Sequence, residues 1–182
     1  MYRAMLGALV SGLMIVPAAM AAPHEEEFHA VFSGFNEVGA LNAQTGAIFS
    51  PGRATLELEL NRADQTLTFV LKYSGLSAPV TQSHIHFGKV HMAGGVMVFF
   101  CSNVGGPPGT QPCPANGGTV TGTISAANVI GPATQGVTAG EFQAVVDALE
   151  SDTTYANIHS TAFPAGEIRG EIRRGFSFGH DD

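Results

Sequence analysis

Over residues 53–100 the chain alternates apolar and polar side chains with period two. Leu56, Leu58 and Leu60 are interleaved with Glu57 and Glu59, and Leu67, Phe69, Leu71 and Tyr73 with Thr68, Val70 and Lys72. Successive side chains of a strand point to opposite faces, so this pattern predicts half-buried strands, apolar inward and polar outward. Asn61-Arg62-Ala63-Asp64-Gln65 between the two runs suits a hairpin turn. Further strands are predicted over residues 27–35, 83–87, 96–101, 119–124, 154–161 and 167–173. Gly, Pro, Asn and Ser cluster between these runs, with 23 Gly and 10 Pro in the chain. Many short strands at this spacing predict an all-β fold, an antiparallel sandwich or barrel of Greek-key type. One segment departs from the pattern. Thr138-Ala139-Gly140-Glu141 matches a capping box, and Phe142, Val145, Val146 and Leu149 follow at helical spacing. A short amphipathic helix over residues 140–149 is expected, lying on the sheet or across one end.

The ends change the picture of where the chain works. Arg3, an apolar stretch over residues 5–16, Pro17 and Ala19-Met20-Ala21 form the pattern of a cleaved secretory signal. The expected organisation is a signal peptide at 1–22, a mobile acidic leader at 23–27, one β domain at 28–176 and a mobile tail at 177–182. The chain is therefore read as periplasmic or secreted, with no membrane span after cleavage. The mature chain would carry seven basic against fifteen acidic residues, a net charge near −8. Nucleic acid and anionic lipid are poor partners for such a chain, whereas cations are suitable ones. Its two cysteines, Cys101 and Cys113, flank a Gly- and Pro-rich segment, and in an oxidising compartment they are expected to pair. Copper ligation by Cys101 is the sharper alternative.

Candidate chemistry concentrates in two tracts. In Ser83-His84-Ile85-His86-Phe87-Gly88 the alternation puts His84 and His86 on one face and Ile85 and Phe87 on the other. Their Cα atoms would lie roughly 6.5–7 Å apart, close enough for two imidazoles to converge on one ion. In the second tract Tyr155, Asn157, His159 and Thr161 share one face, and Ala156, Ile158 and Ser160 the other. A Pro164-Ala165-Gly166 turn follows, and then Ile168 and Ile172 alternate with Glu167, Arg169 and Glu171. The histidine–acid clusters at His24–His29 and His180–Asp182 read as solvated tails. Met97 reads as core, while Met92 is a soft candidate ligand. No nucleophile constellation, phosphate-cradling loop or dinucleotide fingerprint is present, so no organic cofactor is expected and the reading leans away from an enzyme.

Together these tracts resemble the CHRD family, the domain first recognised in chordin and found in many exported proteins. The resemblance runs over about residues 28–174. It rests on Phe32-Ser33-Gly34-Phe35-Asn36-Glu37-Val38 with Thr45-Gly46, on the His-Ile-His block and on the apolar strand Val96-Met97-Val98-Phe99-Phe100. Tyr155-Ala156-Asn157-Ile158-His159 and Pro164-Ala165-Gly166-Glu167-Ile168-Arg169-Gly170 complete it. It implies a β-sandwich or barrel and no particular enzymatic activity. Three features depart from the family pattern: Lys89-Val90-His91-Met92 in place of a Gly-rich loop, Glu37-Val38-Gly39-Ala40 in place of Glu-Val-Pro-Pro, and the cysteine loop.

A fainter likeness links His84, His86, His159 and Arg169 to copper–zinc superoxide dismutase, without that enzyme's long zinc loop. Three functional readings follow. The first is an exported domain holding a transition metal, copper ahead of zinc, through His84, His86 and His159, with His91 closing a fourth position. The second is an extracytoplasmic protein-interaction or surface-structural module, and the third a redox protein of the dismutase kind. The competing account of the histidines is a hydrogen-bonded cluster in which Arg169 and Glu167 satisfy the imidazoles. A guanidinium against the ring nitrogens would repel a cation.

Overall fold

The computed structural model describes residues 26–38 and 46–175. The expected signal peptide and the 177–182 tail lie outside the described residues. Glu26 and Glu27, expected in the acidic leader, belong to the first strand. This strand, β1 (Glu26–Phe32), pairs antiparallel with β2 (Arg53–Asn61) from Glu26↔Leu60 to Phe32↔Ala54. The register follows from burial: Phe28, Ala30 and Phe32 must share an inner face with Leu56, Leu58 and Leu60, and a slip by one residue would expose them all.

β3 (Thr66–Ser74) continues the meander, and β4 (Val80–Phe87) and β5 (Gly95–Ser102) form a hairpin in the opposing layer. β6 (Gly118–Ile124) returns to the first layer beside β3. β7 (Thr154–Ser160) pairs with β4, β8 (Ile168–Glu171) with β7, and the two-residue β9 (Arg173–Arg174) with β1. The product is a sandwich of a five-stranded sheet, β6-β3-β2-β1-β9, and a four-stranded sheet, β5-β4-β7-β8, with every strand pairing antiparallel.

At one corner the sheets are stitched together. Ser33 and Arg169 exchange backbone hydrogen bonds of 3.0 and 3.2 Å, which ties the end of β1 to β8. The first strand therefore stops at Phe32 and not at Phe35. The Ser33 hydroxyl accepts from the Phe35 N–H, and Gly34–Asn36 turn as a 3-10 helix. Gly34 lies so close to the Ile48 carbonyl that no side chain would fit.

The helix, α1 (Phe142–Glu150), starts two residues later than the expected 140. Thr138–Glu141 closes a turn of its own, in which the Glu141 carboxylate accepts from the Thr138 N–H at 2.8 Å, and Glu141 becomes the residue that precedes the helix. Its apolar stripe of Phe142, Val145, Val146 and Leu149 joins the core between the sheets. Met97 is fully buried in that core. Glu57 and Glu59 are exposed on the outer face of β2, as their alternation requires. Cys101 on β5 is bonded to Cys113, and the Asn103 side chain pins the loop further through Cys113 and Val80. No helix among the described residues is long and apolar enough to cross a membrane.

Candidate metal centre

The two histidine tracts are neighbouring strands. β4 and β7 run antiparallel with His84 opposite Asn157, His86 opposite Tyr155 and Gln82 opposite His159. Ile85, Ala156 and Ile158 point into the core, so His84, His86, Tyr155, Asn157 and His159 share the outer face of the four-stranded sheet. β4 carries register irregularities against β5 on both sides of His84-Ile85, the kind of local re-aiming that bulges provide. Phe87, expected in the core beside Ile85, is only half-buried at its rim.

By its alternation the outer face is a polar one, of the kind that ordinarily meets solvent. Instead it is sealed: all seven residues of β7 are buried, and His84, His86 and His159 retain 2%, 8% and 6% of their exposure. The 88–94 loop folds over it. Gly88 N–H donates to Thr153, Gly94 N–H donates to the Tyr155 hydroxyl, and the carbonyls of Lys89 and Met92 accept from Arg169. Glu37 closes another side, and the Pro164–Gly166 turn a third.

The three imidazoles pack ring to ring. The His84 centroid lies 4.5 Å from that of His86 and 4.7 Å from that of His159, and each residue offers a ring nitrogen within 4.8 Å of the others. His86 Nδ1 lies 2.7 Å from the Gly94 carbonyl, and His159 Nδ1 lies 2.8 Å from the Pro164 carbonyl. A carbonyl can only accept, so in both rings Nδ1 carries the hydrogen and a neutral ring leaves Nε2 bare. Both bare Nε2 atoms then face the same acceptor, the Asn157 Oδ1, at 3.1 Å. His84 Nδ1 is sealed from solvent without a hydrogen-bond partner.

Burial keeps the rings neutral. It pushes His86 down to about 4 and His159 below its ordinary value, and it drives His84 well below, assisted by the neighbouring His86 and His159. Burial also pushes Glu37 up to about 7, against the pull of Arg169 and a hydrogen bond with the Asn157 side chain. Three neutral imidazoles with lone pairs turned inward, two of them held by backbone carbonyls through the other nitrogen, form a donor set suited to a divalent transition ion.

Arg169 and Glu167 do not satisfy the imidazoles. The Arg169 guanidinium is stacked on Tyr155, 3.3 Å from its ring centroid, and is held by Glu171 and by the Lys89 and Met92 carbonyls. Tyr155 in turn lies parallel to His86 at 4.6 Å, so its ring separates the guanidinium from that imidazole. The Glu167 carboxylate accepts from Ser50 and from the Ser77 N–H.

His91 stands apart from the group. It is exposed on the 88–94 loop, where its backbone takes φ 61, and the three-histidine cluster does not include it. Met92 is likewise 60% exposed. The residues not foreseen as parts of the site are Asn157, Tyr155 and Glu37. The first two share the alternation face of His159, which was the available signal. Glu37 comes from a segment remote in sequence, and its one signal was its place in the Phe32–Val38 block of the family pattern.

No curated protein and no solved structure matches the chain. The CHRD domain matches residues 28–172, which span both sheets, the helix, the three histidines and the residues that enclose them. By that match the chain belongs to the CHRD domain family.

Proposed function

We propose that this CHRD domain is an exported, non-enzymatic protein that binds one transition metal ion through His84, His86 and His159, copper ahead of zinc. The observation that carries this reading is the arrangement of lone pairs. Two imidazoles are locked by the Gly94 and Pro164 carbonyls so that their bare Nε2 atoms converge on the Asn157 oxygen, and a third ring holds an orphaned buried nitrogen. A buried polar atom without a partner is costly, and a bound cation is one partner that would satisfy all of these acceptors. Imidazole favours copper, zinc and nickel over the hard cations, and copper(II) leads the divalent series. Export is supported by the Cys101–Cys113 disulfide, which fits an oxidising compartment, together with the signal-like residues 1–22.

Titration calorimetry with copper(II) and zinc(II) tests the reading, in a chain carrying His24→Ala and His180→Ala so that terminal histidines do not contribute. One ion per chain is expected, with binding abolished by His84→Ala combined with His86→Ala. Equal affinity in parent and double variant would sink it.

A further inference from the structure

The metal reading leaves the fourth position of the ion open, and His91 is not placed to fill it. We infer that the Asn157 side-chain oxygen is the fourth donor, oriented by Glu37, and that the site is consequently closed to outside ligands. This inference rests on the metal reading above and goes beyond it, because a closed four-donor site holds an ion without offering it to a substrate.

The geometry is specific. Asn157 Oδ1 stands 3.1 Å from His86 Nε2 and 3.1 Å from His159 Nε2. Neither contact is a hydrogen bond when the rings are neutral, because each Nδ1 already carries the single ring hydrogen toward a carbonyl. Two donors on one tetrahedral ion, with bonds of about 2.0–2.1 Å, lie about 3.3 Å apart. The oxygen therefore already stands, from each of the two nitrogens, within a few tenths of an ångström of the spacing that a shared ion requires. The His84 ring centroid lies 4.5 Å from that of His86 and 4.7 Å from that of His159, so the third ring stands beside the same pair.

Glu37 explains why the amide presents its oxygen. Its side chain is buried beside that of Asn157, and a carboxyl oxygen, which accepts in either protonation state, draws the amide NH2 and turns Oδ1 toward the rings. Gly166 makes room for this orienting group: a Cβ there would fall 2.6 Å from Glu37 Oε1. Glu37 is thus a positioning residue, and Asn157 a ligand.

The test uses the exported chain, with cobalt(II) as a spectroscopic probe and copper(II) for affinity. Asn157→Ala is expected to weaken copper binding by about 10–100-fold, the range in which site partners act, while one ion is still bound. Asn157→Asp, which retains an oxygen donor, is expected to keep or tighten it. Azide added to the cobalt-loaded parent should leave the visible bands unchanged, whereas in Asn157→Ala it should shift them by taking the vacated position. Glu37→Ala should weaken binding within the same range, and Glu37→Gln, whose amide oxygen can still accept from Asn157, should restore it. If Asn157→Ala matches the parent in affinity and azide response while the double histidine variant abolishes binding, Asn157 is not a ligand and this inference fails alone. If the double histidine variant binds as the parent does, the metal reading itself fails.

Discussion

The guanidinium of Arg169 lies face-on against the ring of Tyr155, 3.3 Å from its centroid, in a position fully closed to solvent. The stack keeps the guanidinium out of contact with the imidazoles, although its charge still helps to lower His86. It also uses the charge structurally, since Arg169 holds Glu171 and two carbonyls of the 88–94 loop. Removing it would strand these part-buried acceptors. Arg169→Met is expected to cost about 3–5 kcal/mol, the size typical of a buried pair that loses one partner. Arg62→Ala, which loosens an exposed link to Glu26 and Glu150, should cost at most about 1 kcal/mol. Urea unfolding of the two variants checks the contrast.

Acid should destabilise the metal-free domain before carboxylates of ordinary pKa begin to titrate. The three buried histidines have folded values below 6.5, so above pH 6.5 neither state is charged and nothing is lost. As pH falls below 6.5 the unfolded chain takes up protons that the folded chain refuses, and stability drops until the folded values are passed, near 4 for His86. Glu37 has the opposite sign: raised from 4.5 to about 7, it makes stability fall as pH rises through that interval. Three histidines outweigh one glutamate between about pH 4.5 and 6.5. Urea midpoints of metal-free protein should fall from pH 7 to pH 5, and a flat or rising profile would contradict the assignment of neutral rings.

The disulfide closes a separation of 12 residues between Cys101 and Cys113. In the chain-entropy model a loop of this size is worth about 3 kcal/mol. Cys101→Ser with Cys113→Ser should lose about that much in guanidinium unfolding. The loop's second attachment, through the Asn103 side chain, remains in that variant and keeps the loss from exceeding it.

Gly166 and Gly109 both have positive φ, +129 and +87, but only Gly166 faces a neighbour. An alanine at Gly109 meets nothing within 4 Å, so it carries backbone strain alone, about 1–2 kcal/mol. At Gly166 the added methyl would also collide with the Glu37 carboxylate. Gly166→Ala should therefore lower the melting temperature more than Gly109→Ala, and equal losses would remove Glu37 from the account.

Much of this molecule is legible in its residues. Alternation located eight of the nine strands among the described residues, put Ile85 inside with His84 and His86 outside, and separated Ala156 and Ile158 from Asn157 and His159. These are consequences of local geometry, because a strand sends successive side chains to opposite faces whatever it pairs with. The ninth strand has two residues and no pattern to read. The late start of α1 shows a limit of the same kind: the residues of a capping box were present, and the chain used them to close the preceding turn.

What the sequence determined by itself was the face each histidine occupies and the pairing of the two cysteines, since both depend on short stretches of chain. What only the tertiary structure decided was company. Period-two alternation carries no record of partners, so the adjacency of β4 and β7, the arrival of Glu37 beside Asn157, and the sealing of an outer face that alternation marks as polar all came from long-range packing. His91 shows the converse. It is only five residues from His86, yet a loop backbone at φ 61 leaves it in solvent, while His159 reaches the site from the far end of the chain because strand pairing brings it there.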